Sequence, residues 1–319
     1  MFIHVLLLLI GLGILIGGAE FLVRGASSVA KKYGISSLVI GLTIVAFGTS
    51  MPELVVNIFS AARGSADLAV GNVIGSNISN ILLILGVAAV ITPLAVKKST
   101  TWKEIPFALL AVVLVLVMGN DVTTDGAARD LLSRTDGFLL ISMFIIFMYY
   151  TVGMARSDTP EDTENIKMYS GLVAGAMIIG GLLALFFGGK LLVDQAVIMA
   201  RLVGMSEALI GLTIVAIGTS LPELATSVVA AIHKQNDIAV GNIVGSNIFN
   251  IFWILGLTST ILPLPFNTNI NVDVGVAVVA TLALFATMFI GKKHTVQRWQ
   301  GVGYLILFAG YMAYVIGRG

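Results

Sequence analysis

The chain contains no cysteine, and only 11% of its 319 residues are charged. Without cysteine there is no disulfide framework, no thiol nucleophile and no cysteine-ligated metal. Soluble domains carry roughly 25% charged residues, so this low value excludes an ordinary soluble protein. Lys and Arg number 18 against 17 Asp and Glu, a net charge of +1. Such a balance supplies no field to hold nucleic acid. The three histidines, His4, His233 and His294, fit no metal-ligand spacing. What fills the chain instead is 57% hydrophobic residues and 35 glycines, with a mean hydropathy of +1.01. That composition describes a bundle of membrane helices.

A bilayer core of ~30 Å takes about 20 mostly apolar residues per helix. Cutting the chain at charged and Pro/Gly clusters leaves ten runs, near 2–23, 36–62, 69–92, 104–119, 136–154, 169–193, 206–232, 239–262, 272–291 and 299–316. The first has no charged n-region and its end recurs in the second half, so it reads as a retained helix and not a signal peptide. The most polar connection, 155–168, carries Arg156, Asp158, Glu161, Asp162, Glu164 and Lys167 and divides the chain into 1–154 and 169–319. Counting Lys and Arg in alternate loops gives 12 on one side and 5 on the other. The positive-inside rule then places both termini outside and the linker in the cytoplasm.

The strongest signal is self-similarity at a spacing of 170 residues. Gly41 to Leu54 reads GLTIVAFGTSMPEL and Gly211 to Leu224 reads GLTIVAIGTSLPEL, identical at 12 of 14 positions. Ala69 to Gly86 (AVGNVIGSNISNILLILG) matches Ala239 to Gly256 (AVGNIVGSNIFNIFWILG) at 13 of 18. Each copy holds five helices, an odd number, so the second enters the membrane from the opposite side. The expected fold is therefore all-α and polytopic, ten transmembrane helices in two inverted five-helix repeats. Secondary transporters have this plan, with sites near the midplane where the halves meet.

The repeated segments carry the chemistry. Glu53 and Glu223 fall at membrane depth, where a carboxylate is costly and marks a functional site by default. Pro52 and Pro222 lack an N–H and clash one turn back, so each helix bends and frees carbonyls at 46 to 49 and 216 to 219. Thr49 and Ser50 share a helix face with Glu53, and Thr219 and Ser220 with Glu223. The next helices add Asn72, Ser76 and Asn80, then Asn242, Ser246 and Asn250, each at spacings of four. All are hard oxygen donors, which suit Na⁺, Ca²⁺ or Mg²⁺. Magnesium gives up water reluctantly, whereas Ca²⁺ tolerates a flexible cage. Two ionised glutamates are neutralised by one Ca²⁺ or two Na⁺.

The paired GTSxPE and GNxxGSN segments resemble those of the calcium/cation antiporter superfamily, and within it the prokaryotic sodium/calcium exchangers. The resemblance covers essentially the whole chain. It implies that Glu53, Glu223, Thr49 and Thr219 bind calcium. Ala46, Ser50, Ser76, Ala216, Ser220 and Ser246, with the two glutamates, would hold sodium, and Asn80 and Asn250 would line the centre. It further implies Na⁺ entry coupled to Ca²⁺ extrusion by sliding of the first and sixth helices, in an inner or plasma membrane. Ca²⁺ and Na⁺ are then substrates, the bilayer is the surrounding partner, and no cofactor, catalysis, nucleic acid or obligatory protein partner is expected. Many exchangers of this group carry an acid at the place of Asn250, and the amide leans against potassium co-transport. The proton-coupled branch has an acid where Gly75 and Gly245 stand. A proton-driven or other cation-driven antiporter on the same scaffold is the alternative, followed by a passive calcium channel.

Smaller features carry simpler expectations. Glu20 with Arg24 and Lys190 with Asp194 form rim salt bridges four residues apart. Asp67 and Asp237 cap or charge the starts of the following helices, and Asn72 and Asn242 bond across helices.

Overall fold

The structure, a computed structural model, describes residues 2–155, 166–205 and 216–318. Helix α1 is Phe2–Tyr33. The second helix is two pieces, α2 (Ser37–Thr49) and α3 (Met51–Ala62), bent by 44°. There follow α4 (Ala66–Ile91), α5 (Lys98–Met118), α6 (Arg134–Met154) and α7 (Gly171–Leu202). Then come α8 (Leu221–Ile232), preceded by a turn at Ala216–Gly218, α9 (Asn236–Ile261), α10 (Thr268–Thr287) and α11 (Arg298–Arg318). The polytopic ten-helix plan holds. Arg156 and the linker acids Asp158, Glu161, Asp162 and Glu164, with the first half of the seventh run, lie outside the described residues.

Two sequence expectations fall short. The apolar runs of the first and sixth helices stop near 23 and 193, but each helix runs 32 residues, about 48 Å at 1.5 Å per residue. Arg24 does not end α1, because its guanidinium is paired with Glu20 one turn earlier and the helix continues beneath it. The helix stops only at Gly34, whose φ of +63° suits glycine, as Gly204 at +83° does after α7. The fourth helix begins earlier than expected, at Lys98, with a break at Lys103.

The two long helices cross antiparallel through glycines. A Cβ on Gly18 would lie 2.8 Å from the backbone nitrogen of Leu185, and one on Gly181 2.7 Å from that of Leu22. Gly11 and Gly188 meet in the same way, 3.1 Å from each other's carbonyl. Each contact has its mirror 170 residues on, as an axis relating two inverted copies requires. Small residues are what allow such backbone approach within a membrane.

Burial separates frame from core. The most apolar windows of α1 and α7 are 22% and 28% buried, against 72% for α4 and 94% for α9. The polar helices α4 and α9 thus sit in the centre, where their asparagines find partners away from lipid. Two-residue ladders close the ends. Leu94–Ala95 (β1) pairs with Thr295–Val296 (β4), and Leu131–Leu132 (β2) with Leu264–Pro265 (β3), each joining one half to the other.

The loops counted as basic gather at one end. Lys97 reaches Asp237 at 3.0 Å and Ser36 at 3.3 Å, Thr101 meets His294 at 2.9 Å, and Lys31 donates to the carbonyl of Ile166 at 2.9 Å. The opposite end holds Asn120 with Asn271, Asp67 with Asn267, and Arg318 with Asp273. Asp67 and Asp237 lie in the first turns of α4 and α9 and charge the helix starts, but the N-cap positions belong to Ser65 and Gln235. The i,i+4 pairs of Glu20 with Arg24 and Lys190 with Asp194 are both formed.

Candidate ion-binding site

The second helix breaks at Ser50, whose φ of −83° and ψ of 7° depart from helical values, and the chain restarts at Met51. Ser220 repeats this with φ −88° and ψ 6°. Pro52 and Pro222 therefore stand in the first turn of a new helix, where a missing N–H costs nothing. The sequence implied a bend within one helix; in the second helix it is a full break. Its consequence is electrostatic. Glu53 and Glu223 come to lie in the first turns of α3 and α8, at the positive ends of their helix dipoles.

Both carboxylates are 1% exposed. The hydroxyl of Ser50 crosses from the first half to donate to Glu223 Oε1 at 2.9 Å, and Ser246 reaches the same oxygen at 3.4 Å. Glu53 Oε1 faces Ser76 at 3.5 Å, and Ser220 lies 3.4 Å from the Ser76 hydroxyl. Four of the expected serines and both glutamates thus meet between α2, α3, α4, α8 and α9.

Asn80 and Asn250 belong to a paired network that the motif spacing did not reveal. Asn80 donates to Asn247 Oδ1 at 2.9 Å, and Asn250 donates to Asn77 Oδ1 at 3.0 Å. Asn77 also donates to the Asn247 carbonyl at 3.2 Å. Asn77 and Asn247 stand in the GSN motifs, one residue off the spacing of four that picks out Asn72, Ser76 and Asn80 and Asn242, Ser246 and Asn250. Their own repetition 170 residues apart was the signal available. Here α4 and α9 widen into π-helical turns, Asn80–Ile84 and Phe249–Leu255, a local form frequent at functional sites.

Thr49 and Thr219 differ. Thr49 Oγ1 lies 3.0 Å from Asn242 Oδ1 and 3.3 Å from the carbonyl of Ala46, whereas Thr219 Oγ1 is buried without a well-formed hydrogen bond; Thr219 stands beside Glu53 as Thr49 stands beside Glu223. The Ala46 carbonyl also accepts from the Ser50 N–H at 3.1 Å, so the bend does not leave it free. On the other side Ser220 N–H turns to Ile217, not to Ala216. Asn242 bonds across helices as expected, to Thr49 and to Ser227 at 2.9 Å, while Asn72 Nδ2 is buried without a partner.

The remaining oxygens define the chemistry of the centre. Glu53 Oε2, Glu223 Oε2, Thr219 Oγ1, Asn80 Oδ1 and Asn250 Oδ1 are all buried without a well-formed hydrogen bond. An unsatisfied buried polar group costs roughly 1–3 kcal/mol, more when charged. A hard cation satisfies such oxygens at once; soft metals do not select them. Among the described residues no group of three or more His, Cys, Asp or Glu is placed to hold a metal ion. The site holds two carboxyl groups among neutral oxygens, and the histidines go elsewhere, His4 to Gln195, His233 to Glu20 and His294 to Thr101.

Residues 3–153 and 173–317 match the family model described as sodium/calcium exchanger protein. The chain is 39% identical to the putative antiporter CaxA of Alkalimonas amylolytica over 98% of both proteins. It is 32% identical to the sodium/calcium exchanger MaX1 of Methanosarcina acetivorans, again over 98% of each. Among solved structures, the sodium-calcium exchanger NCX_Mj superposes with a TM-score of 0.83 at 34% identity, covering 98% of both chains. Fold, family match and relatives along the whole length agree: the chain belongs to the sodium/calcium exchanger family of membrane antiporters.

Proposed function

We propose that Glu53 and Glu223, with Thr49 and Thr219, hold the calcium ion that this antiporter moves against sodium. Ser50, Ser76, Ser220 and Ser246 hold sodium beside them, with Ala46 and Ala216 as further backbone donors and Asn80 and Asn250 lining the centre. The observation that carries this reading is the pair of buried glutamates, one from each half, each with one oxygen turned to serine hydroxyls and the other unpartnered. A −2 site takes one Ca²⁺ or two Na⁺ at neutrality, so competition for one set of oxygens yields exchange.

The units are 1–154 and 169–319, joined by 155–168. Loading the basic end with the cytoplasm puts both termini outside. Sodium moving inward then drives calcium outward. Alternating access follows from sliding of α1 and α7 along their glycine contact over the buried core of α4 and α9. The membrane is the inner or plasma membrane, and the protein acts as a carrier and not as an enzyme.

The test is ⁴⁵Ca²⁺ uptake into proteoliposomes loaded with Na⁺ and diluted into Na⁺-free buffer. Uptake that needs internal Na⁺, and is absent with K⁺ loading or a pH jump, is the expected result. Uptake driven by the pH jump alone overturns sodium coupling, and uptake independent of any gradient overturns antiport.

A further inference from the structure

We propose that a second site, on the basic end of the bundle, binds the phosphate of an anionic phospholipid headgroup. It is a cleft of about 460 Å³ between α1, the segment entering α7 and the turn after α8. At ~30 Å³ per water it has room for a headgroup. Arg24, Ser27, Lys167, Tyr169, His233 and Lys234 line it, and neither central glutamate does.

Its charges are arranged for an anion. Among the described residues Glu20 is the one acid paired at its wall, held to Arg24 and 2.8 Å from His233 Nε2. Lys167 lies over the ring of Tyr169 at 5.5 Å. Neither Lys167 nor Lys234 has a carboxylate partner among the described residues. Ser27 is 4% exposed, and its Oγ is buried without a partner, a neutral donor at the cleft wall. Among the described residues three permanent cations, Arg24, Lys167 and Lys234, stand against one carboxylate, a surplus that a phosphodiester meets.

Lys234 gives an independent indication. It sits at φ +60°, a left-handed conformation that side chains resist. Its counterpart in the first half is Gly64, at φ +75°. The two turns close alike, Lys234 N–H on Ala231 at 3.0 Å and Gly64 N–H on Ala61 at 2.9 Å. Glycine is thus the residue this turn favours, and the second half carries a lysine there despite the strain. Phe21 and Ile232, 55% and 58% exposed, stand one turn and one residue before Arg24 and His233. They offer an apolar strip for acyl chains, which free phosphate lacks. Basic pockets between membrane helices suit anionic headgroups. A headgroup here ties α1 to the turn after α8.

Native mass spectrometry of the full chain in detergent tests this, with phosphatidylglycerol and phosphatidylcholine of matched chains as ligands and inorganic phosphate as competitor. Phosphatidylglycerol should be retained at least tenfold more than phosphatidylcholine. Lys234→Gly and Lys167→Gln should each cut that preference severalfold. Lys98→Gln with Lys293→Gln, exposed on the same end but outside the cleft, should leave it within twofold. Lys234→Gly should melt no lower than the parent chain, since glycine relieves the turn. Equal retention of both lipids overturns the proposal, as does an equal loss in the Lys98/Lys293 variant, which would mean a generally basic surface. Displacement of phosphatidylglycerol by millimolar phosphate would assign the cleft to the free anion and overturn the lipid reading.

Discussion

The hydroxyl of Ser50, at the break of the second helix, donates to the Glu223 carboxylate of the opposite repeat at 2.9 Å. Each half therefore completes the other's acid. Ser50→Ala removes the shortest of the hydrogen bonds to Glu223 Oε1 in a buried site, a loss of about 1–1.5 kcal/mol. Half-saturating Na⁺ should rise roughly five- to tenfold, read from the Na⁺ dependence of ⁴⁵Ca²⁺ exchange. An unchanged Na⁺ dependence would remove Ser50 from the sodium set.

Glu53→Gln and Glu223→Gln each take one of the two carboxylates that a bound calcium would face from the centre. Stripping a buried charge of its partner is worth roughly 3–5 kcal/mol, so calcium exchange should fall at least a hundredfold in either variant, with monodisperse elution retained. Full exchange in one of them would exclude that glutamate as a calcium ligand.

Asn250→Asp supplies a third acid in the centre. Asn250 now donates from Nδ2 to Asn77 Oδ1 at 3.0 Å, and an ionised aspartate cannot donate. The new side chain must take a proton or a cation to sit there. Exchange by the variant should therefore depend on pH more steeply than that of the parent, measured as initial uptake from pH 6 to 9. Parallel pH profiles would show that this position lies outside the field of the transported ions.

Gly18→Ala adds a methyl 2.8 Å from the backbone nitrogen of Leu185, at the crossing of α1 and α7. Overpacking of this kind costs typically 1–3 kcal/mol, and a backbone cannot rotate aside. Turnover should drop several-fold while equilibrium calcium binding stays unchanged. Gly13→Ala, on the exposed face of the same helix with nothing within 4 Å, should have no effect. Equal turnover in the two variants would rule out sliding at this contact.

Hydropathy and the 170-residue repeat determined the membrane class, the ten helices and their inverted arrangement, because both are carried by the order of residues along the chain. The same repeat marked both glutamates, since a duplicated acid at membrane depth needs no contact map to stand out. It could not show that the second helix breaks fully at Ser50, because proline disfavours the helix behind it without dictating how far the chain departs. Nor could it show that α1 continues past Arg24, since the paired charge of Glu20 and the contact of α1 with α7 decide whether lipid must surround it. The asparagine exchange of 77, 80, 247 and 250 and the crossing of Ser50 to Glu223 join residues more than 160 positions apart. Only packing brings them together, because a hydrogen bond is decided by distances of about 3 Å that one-dimensional spacing does not contain.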